Sequence, residues 1–97
     1  MYAIAVTSQI QPDKFDEAAT VFRDSVVPAY SRLSGFKSAL LLVDPKSGKA
    51  LGLSVWESEA DRDAVTNSGA LQEQLAKFAK VLAAPPVPGT YEVKVQT

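Results

Sequence analysis

The sequence predicts a single α+β domain of ferredoxin-like β-α-β-β-α-β plan, with one antiparallel four-stranded sheet. Three observations carry this. Two stretches place apolar residues at steps of three and four, the spacing of amphipathic helices. Four short runs of strand length, the first rich in β-branched residues, read as strands. A turn containing Pro and Gly separates the middle two strands so closely that they must pair as a hairpin. Ninety-seven residues make one domain of common size.

Tyr2 to Ile10 reads as the first strand, with Ile4, Val6, Ser8 and Ile10 on one face and Ala3, Ala5, Thr7 and Gln9 on the other. Pro12-Asp13 predicts a helix start, because Pro suits a first turn and Asp13, Asp16 and Glu17 favour the positive end of the helix dipole. Phe15, Ala18, Ala19, Phe22, Val26, Ala29 and Leu33 form its apolar stripe. Pro28 interrupts that stripe. Without an N–H, and with its ring against the preceding turn, it predicts a kink or break between about Val26 and Ala29. Gly35 suits the left-handed turn that ends a helical segment.

Phe36 to Val43 and Ala50 to Trp56 are the hairpin strands around the Asp44-Pro45-Lys46-Ser47-Gly48-Lys49 turn. Ser58 and Asp61 have the spacing of a capping box for a helix over 59–67. Ser68-Gly69 breaks it, and Leu71, Leu75, Phe78 and Leu82 continue as a second helical stripe. Pro85, Pro86 and Pro88 end that stripe and lead through Gly89 into a last strand from about Thr90 to Val95.

Two helices cover only one side of such a sheet. The other side is apolar too. Ala39-Leu40-Leu41-Leu42-Val43 is unbroken, Ala3 and Ala5 back Ile4 and Val6, and Leu51, Leu53 and Val55 share one face of the third strand. A sheet with one wet face alternates apolar and polar residues instead. The expectation is a homodimer packed through this second face.

Composition excludes several kinds of chemistry. With no Cys there is no disulfide, thiolate nucleophile or iron–sulfur cluster. With no His there is no Ser-His-Asp triad and no His-ligated haem. A net charge of −1, with ten Lys and Arg scattered among eleven Asp and Glu, gives no basic face for nucleic acid. No apolar run approaches the ~20 residues that cross a bilayer, and the N-terminus lacks the basic start of a signal peptide. A cytoplasmic location is expected, with no membrane partner.

In four places the chain resembles the antibiotic biosynthesis monooxygenase family of dimeric α+β barrels. These are the first strand running into Gln11-Pro12-Asp13-Lys14-Phe15, Val27-Pro28-Ala29-Tyr30 followed by Ser34-Gly35-Phe36, the hairpin ending in Val55-Trp56-Glu57-Ser58-Glu59-Ala60, and the broken second helix with its final strand. The resemblance implies the fold, the dimer, and cofactor-free oxygenation of an aromatic, quinol-like or polyketide-derived small molecule. In such chemistry the substrate's own phenolate or carbanion reduces oxygen inside a dry pocket. Many members of the family carry a His about nine residues after the Trp. Here that place is Val65, which removes the iron ligand that haem-degrading relatives need. The same scaffold also suits a non-catalytic small-molecule binder, a stress-related dimeric protein, or a plain interaction module.

Candidate site residues each have two readings. Trp56, the only Trp, fits an aromatic wall for a planar ligand or a core side chain with its N–H bonded. Tyr30, just past Pro28, fits a donor to a substrate oxygen or a surface or interface residue. Arg62 and Asn67 on the short helix fit an oxyanion stabiliser and a carbonyl-orienting amide, or a solvated Arg and a helix cap. Phe22, Phe36 and Phe78 fit core filling or a pocket lining. Ser54, like Ser8 and Thr7, is a hydroxyl on an apolar strand that must be bonded if buried. No cofactor and no metal are expected.

Overall fold

All four strands pair antiparallel, in the spatial order β2-β3-β1-β4, in a computed structural model that describes residues 1–97. The strands are β1 (Tyr2–Gln9), β2 (Phe36–Val43), β3 (Lys49–Trp56) and β4 (Val87–Glu92). The helices are α1 (Phe15–Val21), α2 (Val27–Ser31), α3 (Glu59–Asn67) and α4 (Ala70–Ala76), and all pack on one side of the sheet. The predicted β-α-β-β-α-β order holds. No helix is long and apolar enough to cross a membrane.

Register fixes which side chains share a face. Ile4 lies opposite Ser54, Val6 opposite Gly52 and Ser8 opposite Ala50. Across the other edge of β3, Ala39, Leu41 and Val43 face Ser54, Gly52 and Ala50. Directly opposed residues point to the same side, so these line the helix-facing surface. The reverse side carries Ala5 with Leu53 and Thr7 with Leu51, flanked by Leu40 and Leu42 on β2 and Val87 and Tyr91 on β4. Both sides are as apolar as predicted.

Local chemistry sets the element ends. Ser58 caps α3, its Oγ accepting from the Asp61 N–H at 3.1 Å and its hydroxyl donating to Asp61 Oδ2 at 2.8 Å. Gly69, at φ 90°, provides the left-handed residue that starts α4 after the break. Gly35, at φ 81°, turns the chain into β2, and a Cβ there would run into the Asp61 carboxylate.

The first helix differs from expectation at three points. It begins at Phe15, because Asp13 takes a left-handed conformation (φ 72°) that Asp tolerates and a helix does not. Its irregularity lies over Phe22–Val26, one turn before the predicted place. There the helix widens to a π-turn in which the Val27 N–H donates to the Phe22 carbonyl, five residues back. Pro28 lacks a donor for its own turn and sits in the first turn of α2, so the strain is taken up upstream. Third, the helix ends at Ser31, leaving Leu33 outside it and exposed.

Two further boundaries move. Regular helix stops at Ala76 rather than near Leu82, and the chain tightens into i→i+3 turns, with the Phe78 N–H on the Leu75 carbonyl at 3.1 Å and Val81 on Phe78 at 2.9 Å. These turns bury Val81 and bring Leu82 into a bridge with Ile10. The last strand starts at Val87, not Thr90, and includes Pro88 opposite Val6. β4 is an edge strand, a setting in which a sheet accepts proline.

The core divides in two. Ile4, Val26, Tyr30, Trp56, Val65 and Leu71 form one cluster. Ile10, Ala18, Ala50 and Val81 form the other.

Candidate functional site: an apolar cavity between sheet and helices

Over the middle of the sheet the two core clusters share only Phe78. At that level the floor carries Val6, Ser8, Gly52 and Leu41, and the π-turn and the short α4 above it are bridged by the Ser25–Gln74 side-chain hydrogen bond. The result is a narrow cavity of about 60 Å³, part of it open to solvent. Phe22 and Val26 from the π-turn, Tyr30 from α2, Leu71 and Leu75 from α4, and Phe78 just beyond form its upper walls.

No charged side chain lines this space. Its polar groups are Ser8, Tyr30, Ser54 and Gln74. Trp56 Nε1–H donates to Ser54 Oγ at 2.9 Å, and the Ser25 hydroxyl donates to Gln74 Oε1 at 2.8 Å. Those bonds leave the Ser54 proton, the Gln74 amide N–H groups and the Ser8 and Tyr30 hydroxyls as donors with no acceptor in the chain. The Ser8 and Tyr30 hydroxyls and the Gln74 amide nitrogen are not sealed away, since every fully buried side-chain polar atom has a partner. Burial pushes the Tyr30 phenol up to about 12, so at neutral pH it is a hydrogen-bond donor and not a base.

The predicted site residues divide by position. Tyr30, Phe22, Ser54 and Phe78 line the cavity. Trp56 is fully buried and stands behind it, edge-on to Tyr30 and Phe36 with ring centroids 5.5 Å apart in each pair. It fixes Tyr30 by packing and Ser54 by its N–H, while Phe36 completes the aromatic group without reaching the cavity. Arg62 and Asn67 lie outside. The Arg62 guanidinium donates to Asp63 Oδ1 at 3.0 and 3.1 Å and to the Tyr91 carbonyl at 3.1 Å, and it stacks over the Tyr2 ring. It ties α3 to β1 and β4. Asn67 is the exposed last residue of α3. Val65, at the place of the family's His, is a buried member of the first cluster.

Sequence reading passed over Gln74 and Gly52. Gln74 falls three residues after Leu71 and four before Phe78, a polar residue on an apolar stripe, and that spacing could have singled it out. Gly52 stands in mid-strand, where glycine marks a bulge or a close approach. No three acidic residues converge on a metal position, and the cavity's neutral donors offer no ligand set for one.

The fold is shared with solved proteins. A monooxygenase from the gene ActVA-Orf6 of Streptomyces coelicolor, in complex with nanaomycin D, superposes with a TM-score of 0.78 at 17% identity, covering 99% of this chain and 89% of that one. SnoaB, a cofactor-independent oxygenase from Streptomyces nogalater, gives 0.76 at 12% identity over 98% and 94%. A protein of unknown function from Nitrosomonas europaea, NE2512, gives 0.74 at 23% identity over 99% and 91%. At such identities the likeness is one of fold. Among sequence relatives, the uncharacterised Mycobacterium tuberculosis protein Rv2558 is 34% identical over 77 residues, covering 78% of this chain and 33% of the relative. The chain thus spans about a third of the length of the curated relatives it matches. The family described as antibiotic biosynthesis monooxygenase matches residues 1–84, and the chain belongs to that family.

Proposed function

We propose that the chain is a cofactor-independent monooxygenase of an aromatic, quinol-like or polyketide-derived small molecule, acting as a homodimer sealed through the outer face of its sheet. The supporting observation is the cavity: apolar walls, neutral donors and no charged group, in a chain of this family. An anthrone-type substrate makes the chemistry concrete. Loss of a proton to water at the cavity's open side gives a carbanion whose charge spreads onto the ring oxygen. Oxygen adds at the carbon, and converting CH₂ to C=O puts one oxygen atom in the product and the other in water. The substrate supplies all four electrons, so no separate reductant enters.

The protein's part is electrostatic and steric. Tyr30, Ser54 and Gln74 donate to the oxygen where negative charge gathers, and a dry site raises the value of each donor. Trp56 holds Tyr30 and Ser54 in place. Arg62 and Asn67 take no part in this scheme. Oxygen uptake with menadiol and with an anthrone tests it. Both are expected to be consumed above the uncatalysed rate, more slowly by Tyr30→Phe and unchanged by Asn67→Ala. If wild type consumes neither, the oxygenase reading fails.

A second reading has its own support. No residue in the cavity can act as a base at neutral pH, and a protonated Tyr30 serves binding as well as catalysis. A non-catalytic binder of the same ligands would retain an aromatic molecule in native mass spectrometry of freshly purified protein, with no turnover.

A further inference from the structure

Gly52 lies in the middle of β3, paired with Val6 on one side and Leu41 on the other, at the floor of the cavity. A glycine there weakens the strand, since it loses more conformational freedom on folding and buries no side chain. Two structural reasons would justify it, and neither applies. Its φ is not in the left-handed region that Gly35, Gly48 and Gly69 occupy. Nor does the fold crowd it: a Cβ added at Gly52 would meet only the Phe22 ring, at an ordinary contact distance of 3.7 Å. What a side chain would take away is cavity.

We infer that Gly52 is the size-determining position of the cavity, keeping a bare backbone floor beneath Phe22 so that a flat, uncharged aromatic molecule of two or more fused rings can be admitted. This rests on the aromatic-ligand reading above. A methyl at Gly52 already touches the Phe22 ring, so it removes the slack between floor and roof and leaves Phe22 less room to yield. Phe22 opens the π-turn, and single π-turns within helices recur at functional sites. The polar groups around the space are neutral donors, which suit carbonyl or phenol oxygens and give a carboxylate or phosphate no counter-charge.

The test compares wild type, Gly52→Ala and Gly52→Val with two probes. Menadione has two fused rings and p-cresol has one. Binding is read by quenching of Trp56, the only Trp, and folding by thermal melting. The expected result is menadione affinity lowered several-fold by Gly52→Ala and about ten-fold or more by Gly52→Val, the size of an overpacking effect. p-Cresol affinity changes less, and the melting temperature of Gly52→Ala equals or exceeds wild type. An unchanged menadione affinity in a folded Gly52→Ala and Gly52→Val pair overturns the inference alone. An equal loss for both probes also overturns it, because size would then not be what the position reads. Failure of wild type to bind menadione removes the aromatic-ligand reading and this inference with it.

Discussion

The two faces of the sheet are built from the same strands yet meet different fates. On the helix side, Ile4, Ala50, Ser54 and Trp56 are buried beneath side chains of the same chain. On the reverse side Leu40, Leu42, Val87 and Tyr91 remain 47 to 64% exposed. Alternation along a strand divides residues between faces but does not say what covers each. The covered face has surplus room at its centre, which makes a cavity. The uncovered face has surplus apolar surface, and on the proposed reading a second copy covers it. A contiguous apolar patch of this kind marks an interaction surface more often than a bare one.

The largest test breaks the outer face. Leu40→Asp with Leu42→Asp places two carboxylates where the proposed dimer is dry. An unpaired charge buried at an interface costs several kcal/mol, so the dimer dissociation constant is expected to rise by at least about 100-fold. Sedimentation velocity over a concentration series reads this directly. A wild type that stays monomeric throughout, or a variant that dimerises as well as wild type, disproves the proposed interface.

The counterpart on the inner face is Trp56→Ala. Trp56 is fully buried and edge-packed against Tyr30 and Phe36. Its removal is expected to cost about 3–5 kcal/mol in urea unfolding. Tyr91→Ala on the outer face, measured in the monomeric Leu40/Leu42 variant, is expected to cost under about 1 kcal/mol. Comparable losses at the two positions would mean the outer face is part of the monomer's own core.

Tyr30 links burial to pH. Its folded-state pKa of about 12 lies above the ordinary value of 10.0, so the folded state holds this proton more tightly than the unfolded chain does. The associated stability is complete below about pH 10 and falls away as pH rises through about 12. At about 1.36 kcal/mol per pH unit between the two values, the loss reaches roughly 3 kcal/mol. Urea midpoints measured upward from pH 9 are expected to fall more steeply for wild type than for Tyr30→Phe. Parallel curves would mean the hydroxyl is solvated rather than set in the cavity wall.

The same contrast shows what was legible in the sequence. Strand identity, the hairpin, the Ser58 cap and the Ser68-Gly69 break follow from local chemistry, and each holds in the fold. Pro28 announced a disturbance but not its form, because a π-turn one turn upstream depends on how the whole helix seats on the sheet. The early start of β4 was hidden behind Pro88, whose meaning changes once the strand is known to be an edge. Of the cavity, the sequence offered Tyr30, Phe22, Ser54 and Phe78 as individual side chains. It could not show that Arg62 is occupied by Asp63 and Tyr91, or that Trp56 stands one layer behind. Those are facts of packing between segments far apart in the chain.

The smallest effect sharpens the picture of the cavity itself. Ser25 and Gln74 form a side-chain hydrogen bond joining the π-turn to α4. Ser25→Ala removes the donor and leaves the Gln74 oxygen unpaired, for an expected loss of about 0.5–1.5 kcal/mol. Gln74→Met in the same background removes the stranded amide and is expected to restore most of that loss, since replacing both partners by apolar groups is nearly neutral. Ligand binding is expected to move the other way. Gln74 supplies N–H donors to the cavity, so the double variant recovers stability while losing affinity for a quinone. If affinity recovers along with stability, Gln74 is only a strut between helices. If the two separate, the same side chain bridges the gap above the sheet and also contributes a hydrogen bond to what lies within it.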